Sequence, residues 1–427
     1  MDIDNPIRLD TNRVRAETLR AHCCIAGGGP AGMVLGFLLA RAGVDVVVLE
    51  KHADFFRDFR GDTIHPSTLE LMYELGLLRD FLSLPHQEYQ RISAQIDDFE
   101  VSVADFTHLP THCKFLALMP QWDFLNFVAE RAKSYPGFQL RMESEVTNLI
   151  LEKGRVAGAI AKTPRGELEV RADLTVGADG RHSLVREKAG LEVVDLGAPI
   201  DVLWMRISRN PDDPRQSLGR FRAGKILITL DRGEYWQCAF VIHKGAFDEI
   251  RARGMQAFRA DIENAAPFLR GRTGELKDWD QVKLLAVRVD HLRRWSRDGL
   301  LCIGDSAHAM SPVGGVGINL AIQDAVATAN ALALSLLRGE VNASRLNEVQ
   351  KRREFPTRVT QAIQVFAHKR FISPALQRSR KLRRLPLPLK LLQIFPLLRR
   401  IPARLIGIGA RPEHVLIPDT NHPASSA

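Results

Sequence analysis

Three clusters of small and acidic residues in this 427-residue chain have types and spacings suited to chemistry. The first is Gly27-Gly28-Gly29-Pro30-Ala31-Gly32. In a GxGxxG spacing Gly27 allows a tight bend, Gly29 lets a pyrophosphate approach the backbone, and Gly32 lets a helix pack close to a strand. A helix starting there offers unpaired N–H groups and a partial positive charge to phosphate. Glu50 follows eighteen residues past Gly32, where a carboxylate accepts hydrogen bonds from a ribose and disfavours a 2′-phosphate. FAD or NAD therefore suits this turn better than NADP. The second cluster is Gly304-Asp305, then Pro312-Val-Gly-Gly-Val-Gly317-Ile-Asn319. Asp305 can bind a ribityl or ribose hydroxyl, and the glycines before Gly317 permit close backbone approach. A flavin gains negative charge along its N1 and O2 edge on reduction, which a helix N-terminus stabilises. Only a flavin needs a second anchor so far along the chain, so the pair of clusters points to FAD. The third cluster is Gly177-Ala-Asp179-Gly180-Arg181-His182-Ser183, with Arg186 three residues on. It places a carboxylate near the adenine–ribose end, although standing alone it reads as an ordinary turn.

Those clusters need elements to position them. Residues 21–26 read as a buried strand, 33–42 as an apolar helix and 45–50 as a second strand, a βαβ pattern around the first glycine turn. Apolar spacing predicts helices over 67–78 and 121–133. Residues 139–163 alternate as two strands about Lys153 and Gly154, and 174–177 make a short strand running into the Asp179 turn. From about residue 201 the character changes: strands over 202–207, 225–230, 235–243 and 282–289 surround one helix near 246–265. The chain then returns to a buried strand, 299–303, and a long apolar helix, 317–337. The dinucleotide-binding unit is thus expected to be discontinuous, over 20–90, 119–190 and 289–365. Residues 91–118 and 191–288 are expected to form an inserted mixed-sheet substrate domain, and 366–427 a basic helical C-terminal segment.

Composition narrows the class further. Five scattered cysteines, Cys23, Cys24, Cys113, Cys238 and Cys302, have no metal or redox spacing and read as buried thiols in a reducing compartment. No metal site is expected. The first twenty residues mix both charges without an apolar core, and no run of eighteen apolar residues occurs, so the expectation is a cytoplasmic protein. The net charge of +9 is local: thirteen of the 59 Lys/Arg and none of the 50 Asp/Glu fall between Phe355 and Pro412. A nucleic-acid partner is not expected from so localised a charge. The stretch LPLPLKLLQIFPLLRRIPARLIGIG mixes Leu, Ile and Phe with Lys and Arg, as interfacial membrane segments do, while its plainer reading is a terminal helical cap. Prolines at 374, 386, 388, 396 and 402 keep its helices short, and only the last dozen residues read as disordered.

The three clusters, in this order and spacing, resemble the single-component FAD-dependent monooxygenases typified by p-hydroxybenzoate hydroxylase, from about residue 21 to about 330. The resemblance implies an α/β fold, a Rossmann-like FAD domain of the glutathione-reductase type with an inserted mixed β-sheet domain and a helical C-terminus. It implies that Gly27, Gly29 and Gly32 take the ADP pyrophosphate, Glu50 the adenosine ribose and Asp305 the ribitol or pyrophosphate end. Pro312 and Thr63 are implied beside the flavin ring, with Gly317 and Asn319 facing its edge. Arg60 and Gln121 match residues contacting the cofactor, although Arg57, Asp58, Arg60 and Asp62 also read as a solvated salt-bridged loop. Asp179 and Arg186 belong to a motif used for FAD and for reduced nicotinamide.

The implied reaction has two halves. NADPH or NADH, a transient co-substrate with no second GxGxxG of its own, reduces the flavin. O2 then adds to give a C4a-hydroperoxide, which hydroxylates an electron-rich aromatic, polyketide or quinone-like substrate. Substrate contacts are expected from the inserted sheet, with Trp204, Arg206, Phe221, Trp236, Gln237 and Phe240 as candidates of which about half can face the pocket. His65 and His112 are candidate acid–base groups. Three alternatives share the nucleotide motifs. A halogenase would need a WxWxIP stretch that YWQCAFVIHK does not supply. A geranylgeranyl-type alkene reductase and a flavin-binding protein without turnover remain as the others.

Overall fold

In the computed structural model, which describes residues 17–56, 63–214 and 218–420, the first apolar run forms the strand Glu17–Ala26. Its neighbours on either side, Gly166–Gly177 and Val46–Leu49, run parallel to it, and Leu300–Cys302 and Phe138–Arg141 extend the parallel set outward. Val46–Leu49 is buried along its whole length, as a parallel strand covered on both faces must be. Cys23, Ile25, Val46 and Val48 face the helices Pro30–Arg41 and Gly317–Leu337, whereas Cys24, Val47 and Leu49 face a hairpin, Glu145–Glu152 with Arg155–Thr163. Hairpin and edge strand Ser296–Arg297 complete an eight-stranded sheet. The turn at Lys153 and Gly154 falls where it was expected, but Phe138–Arg141 belongs to the parallel set rather than to the hairpin.

A second, seven-stranded sheet runs in the order Lys283–Leu285, Ile200–Ser208, Tyr235–His243, Lys225–Asp231, Leu218–Arg222, Arg91–Ile96, Phe99–Asp105. Strand alternation gives it one face of Leu203, Met205, Leu227, Trp236, Cys238 and Phe240, which packs on Phe258 and Ile262 of the helix Met255–Ala265. The single helix expected near 246–265 is two, because Gly254 turns the chain at φ +87° between Phe247–Ala252 and Met255–Ala265. All five cysteines are buried and unpaired.

The long helix occupies Gly317–Leu337, as its apolar run indicates. It is the described helix long and apolar enough to cross a bilayer, yet 78% of the apolar window is buried among its neighbours, which makes it the core helix of the larger unit. A 25-residue helix that the sequence did not reveal, Ala343–Ala367, packs beside it and carries Pro356 within its length.

The C-terminal segment is a cap followed by a strap. Its short helices Leu387–Ile394 and Arg400–Gly407 run beside the outermost strand of the second sheet: Gln393 donates to the Glu100 carbonyl at 2.9 Å, the Leu382 amide to Asp97 at 2.9 Å, and Ala403 packs with Phe106 and Leu109. An edge strand is thereby covered. The chain then crosses back over the first unit, where Arg41 donates to the Ile417 carbonyl at 2.9 Å and the Tyr135 hydroxyl to Asp419 at 3.0 Å. Residues 416–420, expected to be disordered, are held there: the Leu416 amide donates to Asn330 at 3.0 Å and the Thr420 amide to the Arg41 carbonyl at 2.9 Å.

Glu413 anchors this strap. Its carboxylate is fully buried and meets Arg353 at 3.2 Å and Arg352 at 2.7 Å, while Arg353 also meets Asp324 at 2.9 Å and Asp324 meets His308 at 2.5 Å. Burial alone would raise the Asp324 carboxyl, but His308 and Arg353 hold it below the usual carboxylate range. Removing one member of such a set strands the others' charge in a dry interior. Glu413→Gln is therefore expected to cost about 2 to 4 kcal/mol in urea unfolding; a stability equal to that of the parent chain would show the strap to be dispensable.

Candidate active site

Ala26, Gly177 and Cys302 form one row across three neighbouring parallel strands. The glycine turn, the Asp179 turn and the Gly304–Asp305 turn follow those residues within two positions, so all three open on the same edge of the sheet. Open α/β sheets bind ligands in the crevice outside the carboxyl ends of their strands.

Backbone contact makes the first turn. Gly27 has φ +106°, and a Cβ there would lie 2.4 Å from the Ala178 carbonyl oxygen. A Cβ on residue 32 would lie 1.9 Å from the Gly27 carbonyl oxygen, so both positions demand glycine. Gly29, the N-cap of Pro30–Arg41, has nothing within 4 Å of where its Cβ would be, which leaves an open cradle at the helix end. Glu50 lies under the turn, accepting the Gly28 amide at 2.9 Å and the His52 amide at 3.1 Å.

The second cluster closes onto the first. A Cβ on Gly304 would meet Ala31 at 3.2 Å and Ala321 at 3.1 Å, so Pro30–Arg41 and Gly317–Leu337 begin on either side of it. Neither helix has an acid in its first turn, and their positive ends are unscreened. Open cradle, paired helix ends and buried Glu50 together fit a dinucleotide with a pyrophosphate. Asp305 meets Arg181 of the third cluster at 3.3 Å.

The Asn319 side chain is bonded to protein groups. Its oxygen accepts from the His65 amide at 2.8 Å and the Thr68 hydroxyl at 2.8 Å, and its nitrogen donates to the Thr63 carbonyl at 2.9 Å and the Gly315 carbonyl at 3.3 Å. The amide is spent on holding Thr63 against the Pro312–Gly317 turn, where a Cβ on Gly315 would come within 3.0 Å of the Thr63 hydroxyl. Asp179 and Arg186 are likewise committed to protein groups. Asp179 accepts from Ser183 at 2.5 Å and the Val185 amide at 3.0 Å, and burial raises its carboxyl. Arg186 donates to the Arg181 carbonyl at 2.7 Å and meets Asp290 at 3.4 Å. Gln121 begins the helix Gln121–Ala132, beside Trp122, whose ring lies 4.9 Å from that of Phe56. Arg60, with Arg57, Asp58 and Asp62, lies outside the described residues.

Two residues that sequence reading missed hold the Pro312 turn from behind. Gln364 donates to the Ser311 carbonyl at 2.9 Å and the Val313 carbonyl at 3.0 Å, and His368 meets the Ser311 hydroxyl at 2.8 Å. Just beyond His368, Ile372, Ala375 and Leu376 pack on the second face of the seven-stranded sheet, the face of Trp204 and Phe221. Register puts Arg206 and Gln237 on that face too, whereas Trp236 and Phe240 are core on the helix-covered face. Of the six candidates, Trp204, Arg206, Phe221 and Gln237 thus share the face on which Ile372, Ala375 and Leu376 pack.

Over residues 20–363 the chain matches the FAD binding domain family. It is 33% identical over 370 residues to 6-methylpretetramide 4-monooxygenase of Streptomyces rimosus, covering 84% of this chain and 87% of that one. The chain belongs to this family. It is an FAD-dependent monooxygenase, an oxidoreductase. Dialkyldecalin synthase of Streptomyces rugosporus is 30% identical over 322 residues, 71% of this chain and 63% of that one. The fold is shared with an anhydrotetracycline hydroxylase of Streptomyces rimosus, with a TM-score of 0.70 at 22% identity over 91% of this chain and 76% of that one.

The two candidate acid–base histidines differ in setting. His112 is half-exposed, bonded to Glu70 at 2.8 Å and stacked on Tyr73. His65 is buried against the C-terminal helix, with Nδ1 at 2.6 Å from the Ile406 carbonyl, and burial pushes it down to about 4. It is neutral at pH 7, with Nδ1 donating. A histidine depressed from 6.5 to about 4 destabilises the fold as pH falls below 6.5, because the unfolded chain takes the proton first. By pH 5 the loss is about 2 kcal/mol. His65→Asn retains a donor for Ile406 and removes that limb, so its stability should fall less than the parent's between pH 7 and pH 5 in urea melts. Parallel curves would contradict this account of His65.

Proposed function

We propose that this enzyme hydroxylates a phenolic ring of a polycyclic aromatic polyketide, drawing electrons from NADH or NADPH. One observation supports the substrate class: the 6-methylpretetramide 4-monooxygenase likeness extends over 84% of the chain, both sheets included, and not over the FAD domain alone. When bound, FAD supplies the electron transfer and the activation of dioxygen that no amino-acid side chain provides.

The chain's own residues bind, orient and keep water out. On this reading Gly27, Gly29 and Gly32 admit the pyrophosphate to the end of Pro30–Arg41, and Glu50 takes the adenosine ribose. Asp305 takes a ribityl hydroxyl, and Arg60 and Gln121 are assigned to cofactor contact. The start of Gly317–Leu337 stabilises negative charge on the reduced ring, with Pro312 and Thr63 beside it. Asn319, Gln364 and His368 hold that turn in place, and Asp179 and Arg186 frame the adjoining one. Residues 20–90, 119–190 and 289–365 are assigned to FAD and 91–118 and 191–288 to substrate, whose ring rests on the face of Trp204, Arg206, Phe221 and Gln237. The apolar part of that face excludes water from the reacting atoms. A lipophilic substrate is best met at a lipid surface, and that contact is assigned to the basic C-terminal segment.

Asp305→Ala deletes one charge-assisted hydrogen bond and should weaken FAD binding about tenfold or more, read by flavin fluorescence on dilution. Full flavin occupancy in that variant would remove Asp305 from the site. The parent enzyme should consume O2 and NAD(P)H together, faster when a polyphenolic polyketide is added; NAD(P)H oxidation indifferent to every such ring would overturn the substrate class.

A further inference from the structure

The C-terminal segment has two sides. The inner one is packed, with Ala403 and Gly407 on Phe106 and Leu109. The outer one carries Leu387, Ile394, Phe395, Leu397 and Ile401 at 68, 55, 53, 66 and 60% exposure. Large apolar side chains left in water within fifteen residues of chain forgo the burial that otherwise drives folding, and such patches mark interaction surfaces.

Charge selects the occupant. Lys390, Arg400 and Arg404 are exposed among these side chains, Arg383 and Arg384 just before them, and no acid occurs from Phe355 to Pro412. The complement is an anionic surface. The apolar side chains protrude, and a bilayer accepts protruding side chains without a matching cavity. Each of the two helices, Leu387–Ile394 and Arg400–Gly407, has eight residues, about 12 Å of helix against a hydrocarbon core of about 30 Å. Helices so short, broken at Pro396, lie along an interface and do not cross it.

We infer that the outer face of residues 387–401 docks this enzyme on an anionic lipid bilayer, with Leu387, Ile394, Phe395, Leu397 and Ile401 in the interfacial layer and the neighbouring Lys and Arg at the head groups. The docking face lies outside the catalytic crevice. It deepens the lipid contact proposed above but does not rest on the substrate assigned there, and its test needs no turnover.

The purified, FAD-loaded full chain is sedimented with vesicles of phosphatidylcholine alone or with added phosphatidylglycerol. It should pellet with the anionic vesicles only, and less as salt is raised. Replacing Arg400 by Ala should lower the partition coefficient about fivefold. Leu397→Asp with Ile401→Asp should abolish pelleting while bound flavin and the thermal midpoint stay unchanged. If that double variant does not fold, Arg400→Glu with Arg404→Glu serves in its place. Equal soluble recovery with and without anionic vesicles overturns the inference, as does equal pelleting on neutral ones. Self-association that the same variants abolish, or retention on polyglutamate in place of vesicles, would assign the face to a second copy or to an acidic protein and overturn it equally.

Discussion

The carbonyl oxygen of Gly27 occupies the space in which residue 32 would carry a side chain. That one backbone contact brings the helix Pro30–Arg41 down onto the end of its strand and aims its first N–H groups at the crevice. Gly304 repeats the constraint on the other side, wedged between Ala31 and Ala321, so the second helix end cannot drift from the first. Two positive helix ends held on either side of one glycine suit a ligand with negative charge at two places. A pyrophosphate joined to a reducible flavin is such a ligand.

What lies around the crevice keeps that spacing. Asn319 ties the Pro312–Gly317 turn to Thr63 and His65 at the start of the next helix, Pro66–Glu74. Gln364 and His368 press the turn from the far side, and their helix is fixed in turn by Arg353, Asp324 and Glu413. The C-terminal strap is thus part of the support for the Pro312–Gly317 turn, although Glu413 is far from it in sequence. A rigid frame of this kind lets a site be preorganised, which matters most where developing charge has to be met without rearrangement.

Much of this was legible in the residues. The three turns depend on local glycine and carboxylate spacing, and the helix Gly317–Leu337 on an unbroken apolar run, so both could be read directly. Ala343–Ala367 was not legible, because it is rich in charge and carries Pro356, which ordinarily ends a helix; Gln364 and His368 were lost with it. Asn319, Asp179 and Arg186 stand out by their place in the glycine-rich clusters, but their partners lie up to 256 residues away in the chain and only the fold supplies them. Trp236 and Phe240 stand as candidates on equal terms with Trp204 in the sequence, because strand register, which decides the face, is not written in composition.

The relatives of this chain include a dialkyldecalin synthase as well as monooxygenases, and a ring closure needs no net transfer of electrons to oxygen. The sharpest measurement is therefore the fate of isotopically labelled dioxygen during turnover of an aromatic polyketide with NAD(P)H. One labelled oxygen atom in the product ring for each productive NAD(P)H oxidation is the predicted result. A rearranged or cyclised product carrying no label, formed without NAD(P)H oxidation, would contradict it.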